Sequence, residues 1–410
     1  MNAANQTIID AVDNLADRLI AVSRDIHAHP ELNYAEHYAH DLLTGVLAEF
    51  GLDVTPHAYG VDTAFEAVVG DPNAPEVLVL LEYDALPGIG HGCGHNVIAA
   101  AGLGAGLVAA SMARDLGGRV RILGTPAEEG GGGKIAMARN GAFAAGVAAM
   151  MIHPADADLI KMDSIAIHTM DVTYEGKAAH AAAAPWEGRN ALDAAVLGYM
   201  NVAALRQHIR PTERVHGIIT EGGEKPNIVP RRAAATWYVR SNTISTLQPL
   251  KQRVLNCLEG ATSACGCSMS ATWDDHTYAD VRDNMAVVNS FVDNMASLGR
   301  VVRDPRTEGR AVMGSTDMGN VSYLLPSIHP MVKVAPDGVA IHTEDFAHYA
   351  GSETGDEGVL VGAKAMAMTV VDLWTNSELR SAAATEFATV SSDVDVLGYW
   401  KSDHSTIGTV

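Results

Sequence analysis

The run Glu76-Val77-Leu78-Val79-Leu80-Leu81 restricts the fold more than any other stretch of the chain. A strand with one wet face alternates apolar and polar residues. A nearly continuous apolar run belongs instead to a strand covered on both faces, as in the parallel sheets of α/β proteins. Residues 65–69, 120–123 and 148–152 are further strand-like runs, and 97–113 and 134–139 read as helices between them. Strands alternating with helices predict an α/β sheet. Upstream, Ile8, Ala11, Leu15, Leu19 and Val22 recur at helical spacing and predict one helix. His29-Pro30 breaks it, because a residue before proline avoids the α region. Leu42, Leu43, Val46, Leu47 and Phe50 predict a second helix, stopped by Gly51.

The texture changes after Ile165. Residues 167–174, 215–220 and 233–240 read as strands, and 190–209 and 247–264 as long helices. After Tyr278 the α/β pattern returns, with helices at 285–298 and 358–374. The expected organisation is an α/β domain of residues 1–168 and 282–410, interrupted by an α+β domain of residues 169–281.

Composition excludes several classes. Lys plus Arg is 28 against 49 Asp plus Glu, a net charge of −21, which repels phosphate backbones and argues against nucleic acid. Four cysteines in 410 residues are too few for a disulfide scaffold. Cys257, Cys265 and Cys267 read as packing residues, since no histidine accompanies them at a metal-site spacing. The apolar stretch 97–113 is short for a bilayer, and Gly102, Gly104 and Gly106 suit a close-packed buried helix, so no membrane association is expected. The first eleven residues lack the pattern of a secretory signal, and the expected compartment is the cytoplasm.

Metal-capable side chains gather where strands end, the place where open α/β sheets bind ligands. Glu82-Tyr83-Asp84 follows the strongest strand and leads to His91-Gly92-Cys93-Gly94-His95-Asn96. Thiolate and imidazole suit zinc and similar ions, and the glycines let Cys93 and His95 turn toward one point. Taken alone, the pair could equally be a buried thiol and a structural histidine. Glu128-Glu129 follows the strand 120–123 and precedes four glycines and Lys134. Adjacent carboxylates repel, and burying both requires a cation. One could bind a metal while its neighbour acts as general base; the plain alternative is two solvated glutamates. The glycines do not make a phosphate loop, because Ile135 rather than Ser or Thr follows the lysine. His153 closes another apolar strand, and His342 precedes the last predicted helix. Either could be a core histidine, but five such groups at element ends are hard to explain by packing. A serine nucleophile is a weak competitor. There is no Gly-x-Ser-x-Gly elbow, and Gly314-Ser315-Thr316-Asp317 lacks the second glycine.

In order along the chain, these motifs resemble the aminoacylase and glutamate-carboxypeptidase family of metal-dependent amidohydrolases. The similar branch holds aminobenzoyl-glutamate hydrolase, hippurate hydrolase, indole-acetyl-amino-acid hydrolases and dipeptidase-like relatives. The resemblance runs from Asp25-Ile26-His27-Ala28-His29-Pro30-Glu31-Leu32 through Cys93-Gly94-His95, Pro126-Ala127-Glu128-Glu129-Gly130 and Ile152-His153-Pro154. It continues through Gly176-Lys177-Ala178-Ala179-His180-Ala181, Lys225-Pro226-Asn227-Ile228-Val229-Pro230, Gly314-Ser315-Thr316-Asp317 and His342-Thr343-Glu344-Asp345-Phe346.

The resemblance implies a mixed-sheet metallopeptidase catalytic domain with an inserted α+β lid and dimerisation domain, and hence a homodimer. Carried over, Cys93, His95, Glu129, His153 and His342 would ligate two divalent ions per subunit, zinc foremost, with manganese or cobalt as alternatives. Glu128 would be the general base, and Cys93 could bridge the ions. His180 would stabilise the oxyanion, and Asn227 and Arg240 would hold a substrate carboxylate. Arg240 could equally be a structural ion-pair residue. Asn96 stands where many of the branch carry Asp; Asn can still cap the helix that follows, but it does not supply the same negative charge. The implied substrates are small: N-acyl amino acids, aminobenzoyl-glutamate-like conjugates or dipeptides. A deacetylase or desuccinylase would share the mechanism, and a non-catalytic metal-dependent binding protein on the same fold is the alternative from another class.

Overall fold

The computed structural model describes residues 3–307, 313–390, 394 and 404–407. The chain forms two compact units, Met1–Asp163 with Val281–Asp393 and Ser164–Asp280 with Val394–Val410.

The first unit is built on a six-stranded mixed sheet in the order Val54–Pro56, Phe65–Gly70, Arg119–Gly124, Glu76–Leu81, Ala148–Met150, Ser327–Ile328. The first two strands run antiparallel to their neighbours, and the other four are mutually parallel. Every residue of Glu76–Leu81 is buried, as its unbroken apolar run requires. Helix His95–Leu116 lies directly on this sheet. Its approach depends on small residues: a Cβ on Gly102 would sit 2.9 Å from the Leu81 side chain, and one on Gly106 would sit 2.6 Å from Ile122. Helices Ala16–Ala28 and Glu353–Thr375 pack against it. The helices His95–Leu116 and Glu353–Thr375 are long and apolar enough to cross a membrane, yet their most apolar windows are 83% and 72% buried within the protein.

The N-terminal helix is broken where one continuous helix is expected. Ala3–Asn14 and Ala16–Ala28 are separated at Leu15, so three helices rather than two occupy the first fifty residues. Beyond Thr375 a further helix, Ser377–Val390, restarts because Asn376 accepts the N–H groups of Glu378 and Leu379.

The second unit is an antiparallel sheet in the order His404–Ile407, Ser268–Trp273, Ala166–Glu175, Arg232–Ser241, Arg214–Glu221. Burial alternates strictly along Ala166–Glu175, leaving one face for the core. Helices Ala191–Leu205 and Ile244–Ala264 pack on each other and on the sheet. Asn190 caps the first through its side-chain oxygen. A Thr243–Thr246 capping box starts the second three residues before the apolar periodicity indicates. His404–Ile407 pairs with Ser268–Trp273 in this unit, whereas the sequence pattern assigns residues 282–410 to the other.

Candidate metal and catalytic site

In the first unit, five candidate ligands and the adjacent glutamate converge at the carboxyl ends of the central strands. Cys93, His95 and His153 offer ligand atoms within 4.8 Å of one another, as do Cys93, Glu129 and His342, and Glu82, His95 and Glu128. Cys93, His95, Glu128 and His153 are buried, whereas the His342 side chain is 51% exposed.

Hydrogen bonds orient both buried imidazoles. His95 Nδ1 lies 2.9 Å from Asp84 Oδ1 and donates to it, which aims Nε2 at the neighbouring acids. That Nε2 lies 3.6 Å from Glu82, 3.8 Å from Glu128 and 3.9 Å from Glu129 oxygens, and it has no hydrogen-bond partner. His153 Nδ1 donates to the Pro154 carbonyl at 2.7 Å and turns Nε2 toward Cys93 Sγ, 3.3 Å away. Glu129 Oε1 is likewise buried without a hydrogen bond, 3.3 Å from His342 Nε2. A buried imidazole nitrogen and a carboxylate oxygen left unpaired beside a thiol form a donor set of nitrogen, oxygen and sulfur that suits a divalent ion of zinc type.

The electrostatics are those of crowded acids. Burial pushes the Glu128 carboxyl well above the usual range, and neighbouring Glu82 and Glu129 push it further. Burial also raises the Cys93 thiol, with Glu129 adding to it. Burial alone would discharge His95, but Cys93 and Asp84 beside it raise its pKa well above the usual range, so without a cation Nε2 holds the proton that a metal ion would displace. His153 is pushed down to about 4 by burial and by His95.

The backbone around these groups is strained. Ala127 has φ 61° and His342 has φ 64°, both in the left-handed region that non-glycine residues avoid. Such strain persists where the surrounding structure over-determines it, often at functional sites.

Several residues at the site were not among those assigned roles from sequence. Lys134 is wholly buried between Glu82 and Asp317: Nζ bonds Glu82 Oε1 and, at 2.8 Å, Asp317 Oδ1, and its own N–H donates to Asp317 Oδ2 at 2.9 Å. The four glycines before Lys134 were the visible signal, but its partner lies 183 residues away. Asp84 holds His95 and also accepts the Glu129 N–H at 2.8 Å. His329 is fully buried, edge-on to His153, and neither ring nitrogen meets a hydrogen-bond partner.

Asn96 does not cap its helix. Gly94 is the cap residue, and Asn96 lies inside the first turn. Its buried side chain donates to Ser23 Oγ and to the Ala350 carbonyl, both at 2.9 Å, and so ties three helical segments together. A side chain already inside the helix cannot reach back to the free N–H groups as a cap does.

The remaining candidates lie in the second unit. His180 is exposed, and its Nδ1 accepts the N–H groups of Ala182 at 3.3 Å and Ala183 at 3.2 Å. Neutral His180 therefore carries its proton on Nε2. The exposed Asn227 pairs with this loop through its carbonyl, which accepts the Ala181 N–H at 3.0 Å. Arg240 stands opposite Arg214 across the sheet, with its Nε buried and unpaired, and burial lowers its pKa. Neither Asn227 nor Arg240 has a carboxylate partner among the described ion pairs.

Comparison with known proteins bears on the family and the fold. Residues 78–371 match the family described as peptidase family M20/M25/M40. The Xaa-Arg dipeptidase of Mus musculus is 41% identical over 92% of this chain and 90% of its own length. A p-aminobenzoyl-glutamate hydrolase subunit of Escherichia coli (strain K12) is 28% identical over 91% of this chain and 92% of its own. Among solved structures, a dinuclear metal-binding peptidase of the M20 family from Bacillus subtilis shares the fold, with a TM-score of 0.67 at 18% identity. It covers 88% of this chain and is itself covered over 99%.

Proposed function

Because the chain belongs to peptidase family M20/M25/M40 and is a hydrolase of amide bonds, we propose that it is a two-metal dipeptidase for dipeptides ending in a basic residue. The observation that carries this reading is the convergence of Cys93, His95, Glu129, His153 and His342 around Glu128. The basic C-terminal residue is taken from the Xaa-Arg dipeptidase relative.

In this reading Cys93, His95, Glu129, His153 and His342 hold two divalent ions, zinc foremost, with manganese or cobalt as alternatives. Bound there, the ions supply Lewis acidity to the scissile carbonyl and lower the pKa of water. Glu128 accepts the proton of the attacking water and returns it to the leaving nitrogen; its buried place beside His95 and Glu129 sets it next to the proposed ligands. Asp84 keeps His95 in one tautomer and holds the Glu129 backbone. His180, with its proton on Nε2, donates to the developing oxyanion, and Asn227 and Arg240 bind the substrate carboxylate.

We further propose that the second unit is a lid that also dimerises. Its edge strand Arg214–Glu221 exposes Ile218 at 66%, and helix Ala191–Leu205 exposes Val196, Leu197 and Met200. Four free cysteines suit a reducing compartment, and the cytoplasm is the proposed one.

The test is a substrate panel on the zinc-, manganese- or cobalt-loaded protein: alanyl-arginine, alanyl-glutamate, N-acetyl-arginine and p-aminobenzoyl-glutamate, followed by mass spectrometry. Alanyl-arginine is expected to be cleaved fastest, and complete chelation is expected to stop the reaction. Hydrolysis that survives complete metal removal would defeat the reading.

A further inference from the structure

One oxygen of a buried glutamate bridges two strained peptides beside the site. Glu36 is wholly buried, and its Oε1 accepts the N–H of Tyr34 at 3.0 Å and the N–H of Ala127 at 2.9 Å. Tyr34 has φ 60° and Ala127 has φ 61°. Its other oxygen accepts the Thr63 hydroxyl at 2.8 Å. Two neighbours grip the same turn further on. Asn33 Nδ2 donates to the Glu129 carbonyl, and the Tyr34 hydroxyl donates to the Gly131 carbonyl, both at 2.6 Å. The turn held in this way, residues 127–131, carries Glu128 and Glu129.

Glu36 is not occupied with its own helix. It stands at the N-cap position of His37–Glu49, yet its side chain makes no capping bond. Glu31 does that work, accepting the N–H groups of Tyr38 at 2.9 Å and Ala39 at 3.0 Å. A buried carboxylate is retained at a cost unless its bonds matter, and the bonds Glu36 makes go to the turn, to Tyr34 and to Thr63.

We infer that Glu36, assisted by Asn33 and Tyr34, is a positioning residue that fixes the left-handed Ala127 peptide and thereby aims the Glu128 and Glu129 carboxylates. The inference rests on the reading of Glu128 as the base. A left-handed Ala127 relaxes toward ordinary backbone angles once its N–H is released, and the two carboxylates that follow it move with the chain. Misplacing a reacting group by about 1 Å costs about a hundredfold in rate.

The experiment compares Glu36→Ala, Glu36→Gln, Asn33→Ala and Tyr34→Phe in the zinc-loaded full chain on alanyl-arginine, with amide hydrogen exchange measured alongside. Glu36→Ala is expected to lower kcat about a hundredfold at nearly constant KM and to speed exchange in residues 126–133 while leaving the helix 37–49 protected. Glu36→Gln keeps a carbonyl oxygen for both N–H groups and is expected to restore most of kcat. Asn33→Ala and Tyr34→Phe are expected to act in the same direction with smaller effects, and they carry the test if Glu36→Ala does not fold. Wild-type kcat in Glu36→Ala, unchanged exchange in the turn, or a Gln variant as impaired as the Ala variant would each overturn the inference. So would a double Asn33→Ala/Tyr34→Phe variant with wild-type kcat and exchange. Exchange reports on the clamp whether or not the chain hydrolyses alanyl-arginine. A protein with a protected turn and no hydrolysis therefore counts against the proposed substrate, and hydrolysis with an unprotected turn counts against the clamp.

Discussion

In the first unit Glu82, Lys134 and Asp317 are buried together within 1% exposure, next to the buried His95 and Glu128. In the second unit the largest fully buried side chains are Trp237 and Tyr174, and the candidate groups His180 and Asn227 stand on the surface. The second unit's buried cation, Lys251, lies 4.4 Å over the Trp273 ring. One interior holds a buried charge network beside the candidate site. The other is built on large apolar side chains, with Lys251 and His168 buried among them. Breaking a buried ion network leaves an uncompensated charge, whereas altering a surface group leaves the core intact.

The sharpest way to break this contrast is Lys134→Met. The Glu82 and Asp317 carboxylates would lose their shared cation, and denaturant unfolding should show a loss of about 3–5 kcal/mol. The matching change in the second unit is Lys177→Met, where an exposed lysine faces Glu187 at 3.6 Å. It should cost no more than about 0.5 kcal/mol. Equal losses would mean that the buried network is worth no more than an exposed ion pair.

Catalysis sharpens the contrast next. Glu128→Gln should lower kcat by about 10²–10⁴ with the metal content unchanged. His180→Ala in the second unit should lower it by about 10²–10³, the loss expected of one oxyanion donor. A Glu128→Gln variant with wild-type turnover would remove the base from the proposal.

The first unit's interior is only partly legible in the sequence. The strand Glu76–Leu81 was readable because burial on both faces leaves a local mark, an unbroken apolar run. Cys93, His95, Glu128, Glu129, His153 and His342 were readable because each stands at an element end within a distinctive local string. The network behind them was not. Lys134 meets Asp317 across 183 residues, and Glu36 meets Ala127 across 91, and no periodicity encodes such a meeting. Asn96 misled for the same reason: as a local residue it suggests a cap, but its partners Ser23 and Ala350 are remote. The break at Leu15 was hidden because helical spacing continues through it.

Titration should act with opposite signs in the two units. Burial, with Asp84 nearby, pushes Glu36 in the first unit up to about 7 from 4.5. Between those values the folded state binds more protons than the unfolded one. The Glu36 contribution is therefore complete below pH 4.5 and is lost as pH rises through 7. Burial, with Lys251 nearby, pushes His168 in the second unit down to about 3 from 6.5. There the unfolded state binds more protons, so stability is complete above pH 6.5 and falls as pH drops toward 3. Each group adds a slope of at most about 1.4 kcal/mol per pH unit. Glu36→Gln should flatten the first slope and His168→Gln the second. Flattening of the wrong limb, followed by denaturant unfolding across pH 4–8, would reverse the assignment.

The smallest expected effect on stability lies on the second unit's surface. Met200 and Ile218 are 60% and 66% exposed, yet both are large and apolar, and Ile218 sits on an edge strand whose outer backbone groups lack a strand partner in the described sheet. Glutamate at both positions should change unfolding free energy by no more than about 0.5 kcal/mol, since neither side chain packs in the core. If the surface is where two copies meet, the same pair of charges faces its own image across the interface, and burying four carboxylates there is prohibitive. Sedimentation should then show a dimer for the wild type and a monomer for Met200→Glu/Ile218→Glu, with both units still folded. Turnover separates two roles for His180. A monomer that keeps its kcat uses its own His180 or none, whereas a monomer that falls to the level of His180→Ala takes that histidine from its partner. A wild type that sediments as a monomer would leave the exposed apolar residues without this explanation.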